Sequence, residues 1–316
     1  MTGKSLEIAV LGAGAMGSLF GARLALAGHA VTLLDINAAH LAAIKEHGLK
    51  LVTDEGERRV PLSALRPEEY DGRPELLILF TKTLHTRAAL ESVRGRLGAD
   101  TWVLSLQNGL GNAEAIGEFV APQRIIVGMT TYPGDLAGPG HVESHGPGVI
   151  HMMSADGAAS PELDAIAAAL NGAGLVCDVD PGVHVSIWEK VAFNGALNSI
   201  CSASRSVVGG VAAVPAARAL ALAVVDEVVA VARAAGIAAD GPKVRALVEH
   251  ALEAHGGHKP SMLQDVLAGR QTEIESINGA VVAAADRLGV PVPNTRALLA
   301  LLRVVDGNLK AGRRLD

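Results

Sequence analysis

The sequence predicts an α/β chain in two parts: a mostly parallel sheet covered by helices over residues 1–181, then an all-α part over residues 182–316. Three observations carry that reading. The 316 residues exceed the roughly 100–200 of one ordinary domain. In the first half, short apolar runs alternate with helical patterns, as parallel strands joined by crossover helices do. After Pro181 the strand signals stop, and long alanine- and valine-rich helical patterns take over.

The elements follow in order. "EIAVLGAG" is a short apolar run ending in glycines, the first strand. A helical pattern from Met16 to Ala27 follows and stops at Gly28-His29. "HAVTLLD" is the second strand, and "AAHLAAIKEHG" the second helix, closed by Gly48. "ELLILFTK", "TWVLSLQNG" and "RIIVGMTTYPG" are further buried strands, and "HTRAALESVRGR" a helix with a solvated face. From about residue 130 to 160, Gly, Pro and His accumulate among alternating apolar positions, which predicts antiparallel strands or loops. Downstream, "SIWEKVAFNGALNSICS", "VPAARALALAVVDEVVAVARAAG" and "ESINGAVVAAADRLG" are helices, with alanine serving as a helix former.

Composition narrows the function classes. Hydrophobic residues at 49% and charged residues at 19% supply sizeable cores and exclude a disordered chain. The net charge of −6, with no Lys/Arg tract, speaks against nucleic acid or an anionic membrane as partner. No apolar run reaches the ~20 residues of a bilayer span, and "MTGKSLEIAVLGAGAMG" runs into a strand without a cleavable signal. Cys177 and Cys201 form no CxxC pattern, so a reducing, cytoplasmic setting is expected. His141, His145 and His151 lack a completing ligand pattern, and no metal is expected.

The chemistry begins at "GAGAMG". Gly12, Gly14 and Gly17, with Ala13, Ala15 and Met16 between them, match GxGxxG between a strand and a helix. Gly12 permits the tight turn, Gly14 lets a pyrophosphate approach the backbone, and Gly17 lets helix and strand pack closely. Free N–H groups at the helix start then face the phosphates. This context predicts a Rossmann-type dinucleotide-binding domain. Asp35 ends the second strand about 20 residues past the glycines, where an acid bonds the ribose hydroxyls. Its carboxylate repels a 2′-phosphate, and neither Ile36 nor Asn37 supplies positive charge, so NAD is expected, with NADP the alternative. Lys82 and Asn108 end two strands at the side where ligands bind in such sheets, and are expected to face the nicotinamide.

A second constellation lies downstream. Lys190, Asn194 and Asn198 stand four residues apart and so line one face of a helix. Three polar groups on an otherwise apolar helix need partners. Val191, Phe193 and Leu197 between them are expected to anchor that helix in its core. A lysine can protonate a carbonyl oxygen as it is reduced, and amides can donate to carboxylate or hydroxyl oxygens without adding charge. "TEIE" reads as a capping box from Thr272 to Glu275, leaving Glu273 beside a helix N-terminus. Ser261 after Pro260 reads as a helix start or as a ligand group.

Taken together, "GAGAMGSLFGARLALAGHAVTLL", "SLQNGLGN", "WEKVAFNGALNSICS" and "PSMLQDVLAGRQTEIESINGAVVAAADRLGVPVPNT" resemble the ketopantoate reductase (2-dehydropantoate 2-reductase) family over nearly the whole chain. The resemblance implies hydride transfer from NAD(P)H to the C2 carbonyl of a small-molecule 2-oxo acid, by a Rossmann domain followed by a helical domain. It implies Lys190 as catalytic lysine, with Asn194 and Asn198 binding substrate and Ser261 contacting its carboxylate. Glu273 would bond the substrate hydroxyl or hold the lysine, and Lys82 and Asn108 would lie near nicotinamide and substrate. Two departures stand out. Asp35 and Ile36 occupy the place where the family commonly continues into an arginine that reads the NADP phosphate. "TTYPG" at 130–134 replaces the family's frequent "TTHGA". NAD-dependent D-2-hydroxyacid dehydrogenases share this fold and are the competing reading. The apolar surface expected on the helical part suits a homodimer.

Overall fold

The computed structural model describes residues 5–313. It separates into two compact units, Met1–Gln107 with Asn112–Val183, and Asn108–Gly111 with His184–Asp316. The four residues 108–111 therefore leave the first unit and pack with the second, which a single boundary at 181 does not anticipate.

The first unit runs β1 (Glu7–Leu11), α1 (Ala15–Leu26), β2 (Ala30–Leu34), α2 (Ala38–His47), β3 (Leu49–Thr53), β4 (Gly56–Val60), β5 (Ser63–Leu65) and β6 (Leu76–Leu79). It continues with α3 (Thr86–Val93), β7 (Trp102–Ser105), α4 (Asn112–Ile116), β8 (Ile125–Thr130), β9 (Asp135–Gly138), β10 (His141–Ser144), β11 (Ile150–Ser154), α5 (Pro161–Gly172) and β12 (Cys177–Val179). Eight strands form one sheet in the order β12-β11-β8-β7-β6-β1-β2-β5. From β5 to β8 all neighbours are parallel, while β11 runs antiparallel to β8. The central strands are buried on both faces, which is why β1 and β6 read as unbroken apolar runs. Chain order reverses between β1 and β6, and ligands bind such sheets at the carboxyl ends of the strands flanking that switch point.

A second sheet of order β4-β3-β10-β9 stands beside the first. The antiparallel strands expected within 130–160 are present as β9, β10 and β11. The hairpin of β3 and β4 is not foreseen, because Glu57, Arg58 and Arg59 mask its apolar alternation; its turn uses Gly56 at φ 112°.

The second unit is helical: α6 (Val183–Ser204), α7 (Val208–Ala212), α8 (Pro215–Ala234), α9 (Gly241–Ala254), α10 (Ser261–Leu267), α11 (Ala280–Leu288) and α12 (Pro293–Lys310). Its core is almost wholly aliphatic, with Val191 and Leu197 buried and Phe193 packed against them as expected. The "PNT" of the C-terminal motif has a structural role. The Glu227 carboxylate accepts from the backbone N–H groups of Asn294 and Thr295 at 2.9 and 2.8 Å, and so caps α12 from another helix. Among the described residues, no helix is long and apolar enough to cross a membrane.

Candidate active site

The glycine loop leaves β1 at the switch point, and its three glycines answer to different causes. Gly12 holds φ 96°, and a Cβ there would lie 2.5 Å from the Thr81 nitrogen of the loop after β6. A Cβ on Gly17 would lie within van der Waals overlap of the Gly12 carbonyl oxygen. Gly14 is unlike both: φ is an ordinary −64°, and a Cβ would meet nothing within 4 Å. Protein packing therefore gives no reason for glycine at 14, whereas close approach of a pyrophosphate does. Helix α1 begins at Ala15 with no side-chain cap and no acid in its first turn, leaving N–H groups that favour an anion. These residues fit a dinucleotide. Gly14→Ala should leave unfolding stability unchanged or raised by up to about 1 kcal/mol. It should weaken NADH binding about tenfold or more in a fluorescence titration, since a methyl group then occupies the approach path. Unchanged NADH affinity would remove Gly14 from the phosphate site.

Asp35 holds this loop directly. One carboxylate oxygen accepts from the Ala13 N–H at 2.7 Å and the other from the Asn37 N–H at 2.8 Å. The helix cap itself is Asn37, whose side chain accepts from the His40 N–H. A buried chain that sequence reading missed supports the other side of Ala13. Gly140 N–H donates to His40 Nδ1 at 2.9 Å, so the proton of this imidazole sits on Nε2, 3.1 Å from Ser18 Oγ, which donates to the Ala13 carbonyl at 2.8 Å. Burial lowers the pKa of His40, with the Asp35 charge opposing, which keeps the ring neutral. Only the positions of His40 and Ser18 within helical patterns were legible; their pairing with a turn 100 residues away was not.

Lys82 stands half-buried just past β6, at the other side of the switch point. Segment 130–134 abuts the glycine motif, since a Cβ on Gly134 would lie 3.0 Å from Met16 Sδ. Its Tyr132 is committed to the fold, accepting from the Val176 N–H at 2.7 Å. The three histidines of the following segment each meet one carboxylate: His141 with Glu143, His145 with Asp54 and His151 with Asp178.

In the second unit, α6 carries Lys190, Asn194 and Asn198 in one line. Lys190 and Asn194 are half-buried, and Asn198 is buried. Desolvation pulls the Lys190 ammonium down from 10.5 to about 8, and the nearby Glu273 charge pushes it back up. Asn108 Nδ2 donates to Glu273 Oε2 at 3.4 Å. Lys190, Glu273 and Asn108 thus form one constellation, built from positions more than 80 residues apart in sequence.

What brings Glu273 there differs from the expected capping box. Thr272 donates its hydroxyl to Asp306 at 3.0 Å, and Glu275 pairs with Arg303 through two bonds of 2.7 and 2.8 Å. Both intended partners are drawn to α12, and residues Glu275–Gly279 form a π-helical turn instead. Asn278, fully buried, donates to the Gly195 carbonyl of α6 at 3.2 Å and ties that turn to the lysine helix. The Leu110 N–H donates to the Ser276 carbonyl at 2.9 Å, which seats the Asn108 loop on the same turn. Ser261 is exposed as the first residue of α10, with Pro260 at its N-cap. That position matches its reading as a helix start.

A glycine loop at the sheet's switch point marks a dinucleotide-binding protein, and the relatives make it an NAD(P)-dependent oxidoreductase. The chain belongs to the ketopantoate reductase family: residues 8–157 match "Ketopantoate reductase PanE/ApbA" and residues 183–306 match its C-terminal part. It is 33% identical over 301 residues to a 2-dehydropantoate 2-reductase of Streptococcus pyogenes serotype M3, covering 95% of this chain and 98% of that one. It is similar to a D-mandelate dehydrogenase solved with NADH and anilino(oxo)acetate, at 33% identity and TM-score 0.90 over 96% of this chain and 99% of that one. A 2-dehydropantoate 2-reductase from Geobacter metallireducens GS-15 matches at 31% identity and TM-score 0.89, over 95% and 99% of the two chains.

Proposed function

We propose that this protein reduces the C2 carbonyl of a branched 2-oxo acid, ketopantoate first, with NADH and with Lys190 as the general acid. The observation that carries the reading is Lys190 itself, a half-buried lysine whose pKa is tuned to about 8 against Glu273. A general acid works best with a pKa near the operating pH. When bound at the glycine loop, the reduced nicotinamide supplies a hydride. As C2 receives it, Lys190 gives one proton to the carbonyl oxygen, which becomes the hydroxyl, and is then reprotonated from solvent. Glu273 keeps the ammonium charged and oriented, with Asn108 holding the carboxylate in turn. Asn194 and Asn198, on the lysine's face of α6, are assigned to the substrate's oxygens, and Ser261 to its carboxylate. Asp35 at the end of β2 supports NADH over NADPH. The two buried free cysteines suit the cytoplasm, and exposed Leu301 and Val304 on α12 suit a homodimer.

The likeness to a D-mandelate dehydrogenase favours a second reading in which an aromatic 2-oxo acid is the substrate. A panel of ketopantoate, 2-oxoisovalerate and phenylglyoxylate, each with NADH and NADPH, separates the two. The highest kcat/KM on ketopantoate supports the first reading, and the highest on phenylglyoxylate replaces it with the second.

The lysine also sets a pH profile. Reduction should slow as pH rises through about 8, where Lys190 loses its proton. Because Glu273 raises that pKa, Glu273→Gln should move the alkaline limb to lower pH. A limb that stays in place would disconnect Glu273 from the lysine.

A further inference from the structure

We propose that Arg66 is the residue that reads the 2′ position of the adenosine ribose, and that Glu68 sets how available it is. The inference rests on the reading of Asp35 as the ribose residue. Strands β2 and β5 are parallel neighbours with Leu34 opposite Leu65, and the Asp35 N–H donates to the Leu65 carbonyl at 3.2 Å. Asp35 and Arg66 therefore leave the sheet side by side, at the carboxyl ends where nucleotides bind. The guanidinium Nη1 lies 3.5 Å from the Ile36 carbonyl, the residue directly after Asp35. The positive charge missing at positions 36 and 37 is thus delivered from 30 residues further on, by the neighbouring strand.

That charge is already engaged. Arg66 Nε donates to Glu68 Oε1 at 2.5 Å, and the Arg66 backbone N–H to Glu69 Oε2 at 3.0 Å. Lys45 lies 3.8 Å from Glu69. Three acids, Asp35, Glu68 and Glu69, thus face two bases, a balance that disfavours a phosphate bearing close to two negative charges. Yet the Arg66–Glu68 pair is open to water, its side chains 44% and 59% exposed, and such pairs are only weakly held. An arginine so weakly held can be recruited by a phosphate, whose oxygens match its fork of donors. Preference for NADH then reflects acids surrounding a basic reader, rather than the lack of one.

The test is calorimetric binding of 5′-AMP and adenosine 2′,5′-bisphosphate to the wild type and to Glu68→Gln, Arg66→Met and the double variant. Glu68→Gln should tighten the bisphosphate relative to AMP about three- to tenfold, the scale of one freed charge-assisted contact near solvent. The kcat/KM ratio of NADPH to NADH should move the same way. Adding Arg66→Met should erase the gain. An unchanged ratio in Glu68→Gln overturns the proposal. So does an equal gain from Glu68→Gln in the Arg66→Met background, which would mean general electrostatics without Arg66. The Asp35 reading has its own control: AMP affinity unmoved in Asp35→Ala would sink it, while the bisphosphate-to-AMP ratio still judges Arg66.

Discussion

Replacing Lys190 with alanine is expected to lower kcat about 10²–10⁴-fold, the usual contribution of a positioned general acid, while NADH binds as before. The two effects separate because the glycine loop belongs to the first unit and the lysine to the second. Near-normal turnover would end the proposed mechanism, and lost NADH binding would recast Lys190 as a cofactor residue. Stability should move in the opposite direction. The folded chain holds the Lys190 pKa at about 8, below the ordinary 10.5, so between those values it binds fewer protons than the unfolded chain. Stability from this group therefore rises with pH across that window, and below it the buried charge is a standing cost. Lys190→Met should be more stable near neutral pH by about 1–3 kcal/mol, a range discounted because the side chain is not fully shut from solvent. The advantage should fade as pH approaches 10.5. Denaturant unfolding at several pH values reads it. A site that gains stability when its polar group is removed is one held for activity.

The parts of the candidate site that were legible in sequence are those whose structure is local. Gly12, Gly14 and Gly17 needed only a strand before them and a helix after, and the sheet supplies both. Lys190, Asn194 and Asn198 needed only helical spacing, and α6 runs unbroken beneath them. What could not be read depends on partners far along the chain. Thr272 and Glu275 have the right spacing for a capping box, but Asp306 and Arg303 outcompete it with a charge-assisted bond and a two-bond salt bridge. The π-helical turn that results is a tertiary outcome that no local propensity encodes. Arg66 was invisible for the same reason, since its place beside Asp35 comes from the parallel pairing of β2 with β5. The hairpin from Leu49 to Val60 was hidden differently: one of its strands sits at a sheet edge, and edge strands carry charge.

Gly109→Ala should be the most damaging small substitution in the second unit. Gly109 holds φ 89°, and a Cβ there would lie 2.4 Å from the Ser276 carbonyl oxygen and 2.7 Å from its carbon. Left-handed backbone costs a residue with a Cβ about 1–2 kcal/mol, and overpacking against fixed backbone about 1–3 kcal/mol. The contact cannot be relieved by a rotamer, because the obstacle is main chain. The loop must then lift from the π-helical turn, break the 2.9 Å bond from Leu110 to Ser276, and withdraw Asn108 from Glu273. On the proposed mechanism, a carboxylate released from Asn108 no longer orients Lys190, and misplacement of about 1 Å at a reacting group costs on the order of 10²-fold. The expected result is a kcat loss of that size with NADH binding retained, together with a stability loss of at most the about 2–5 kcal/mol that keeping the loop docked against the added methyl would cost. Gly111→Ala is the control within the same loop. Gly111 holds a similar φ of 86°, but a Cβ there meets nothing within 4 Å. It should show the backbone cost alone, about 1–2 kcal/mol, and keep most of the activity. If both variants lose activity equally, backbone strain rather than the collision with Ser276 governs the loop, and the docking argument fails.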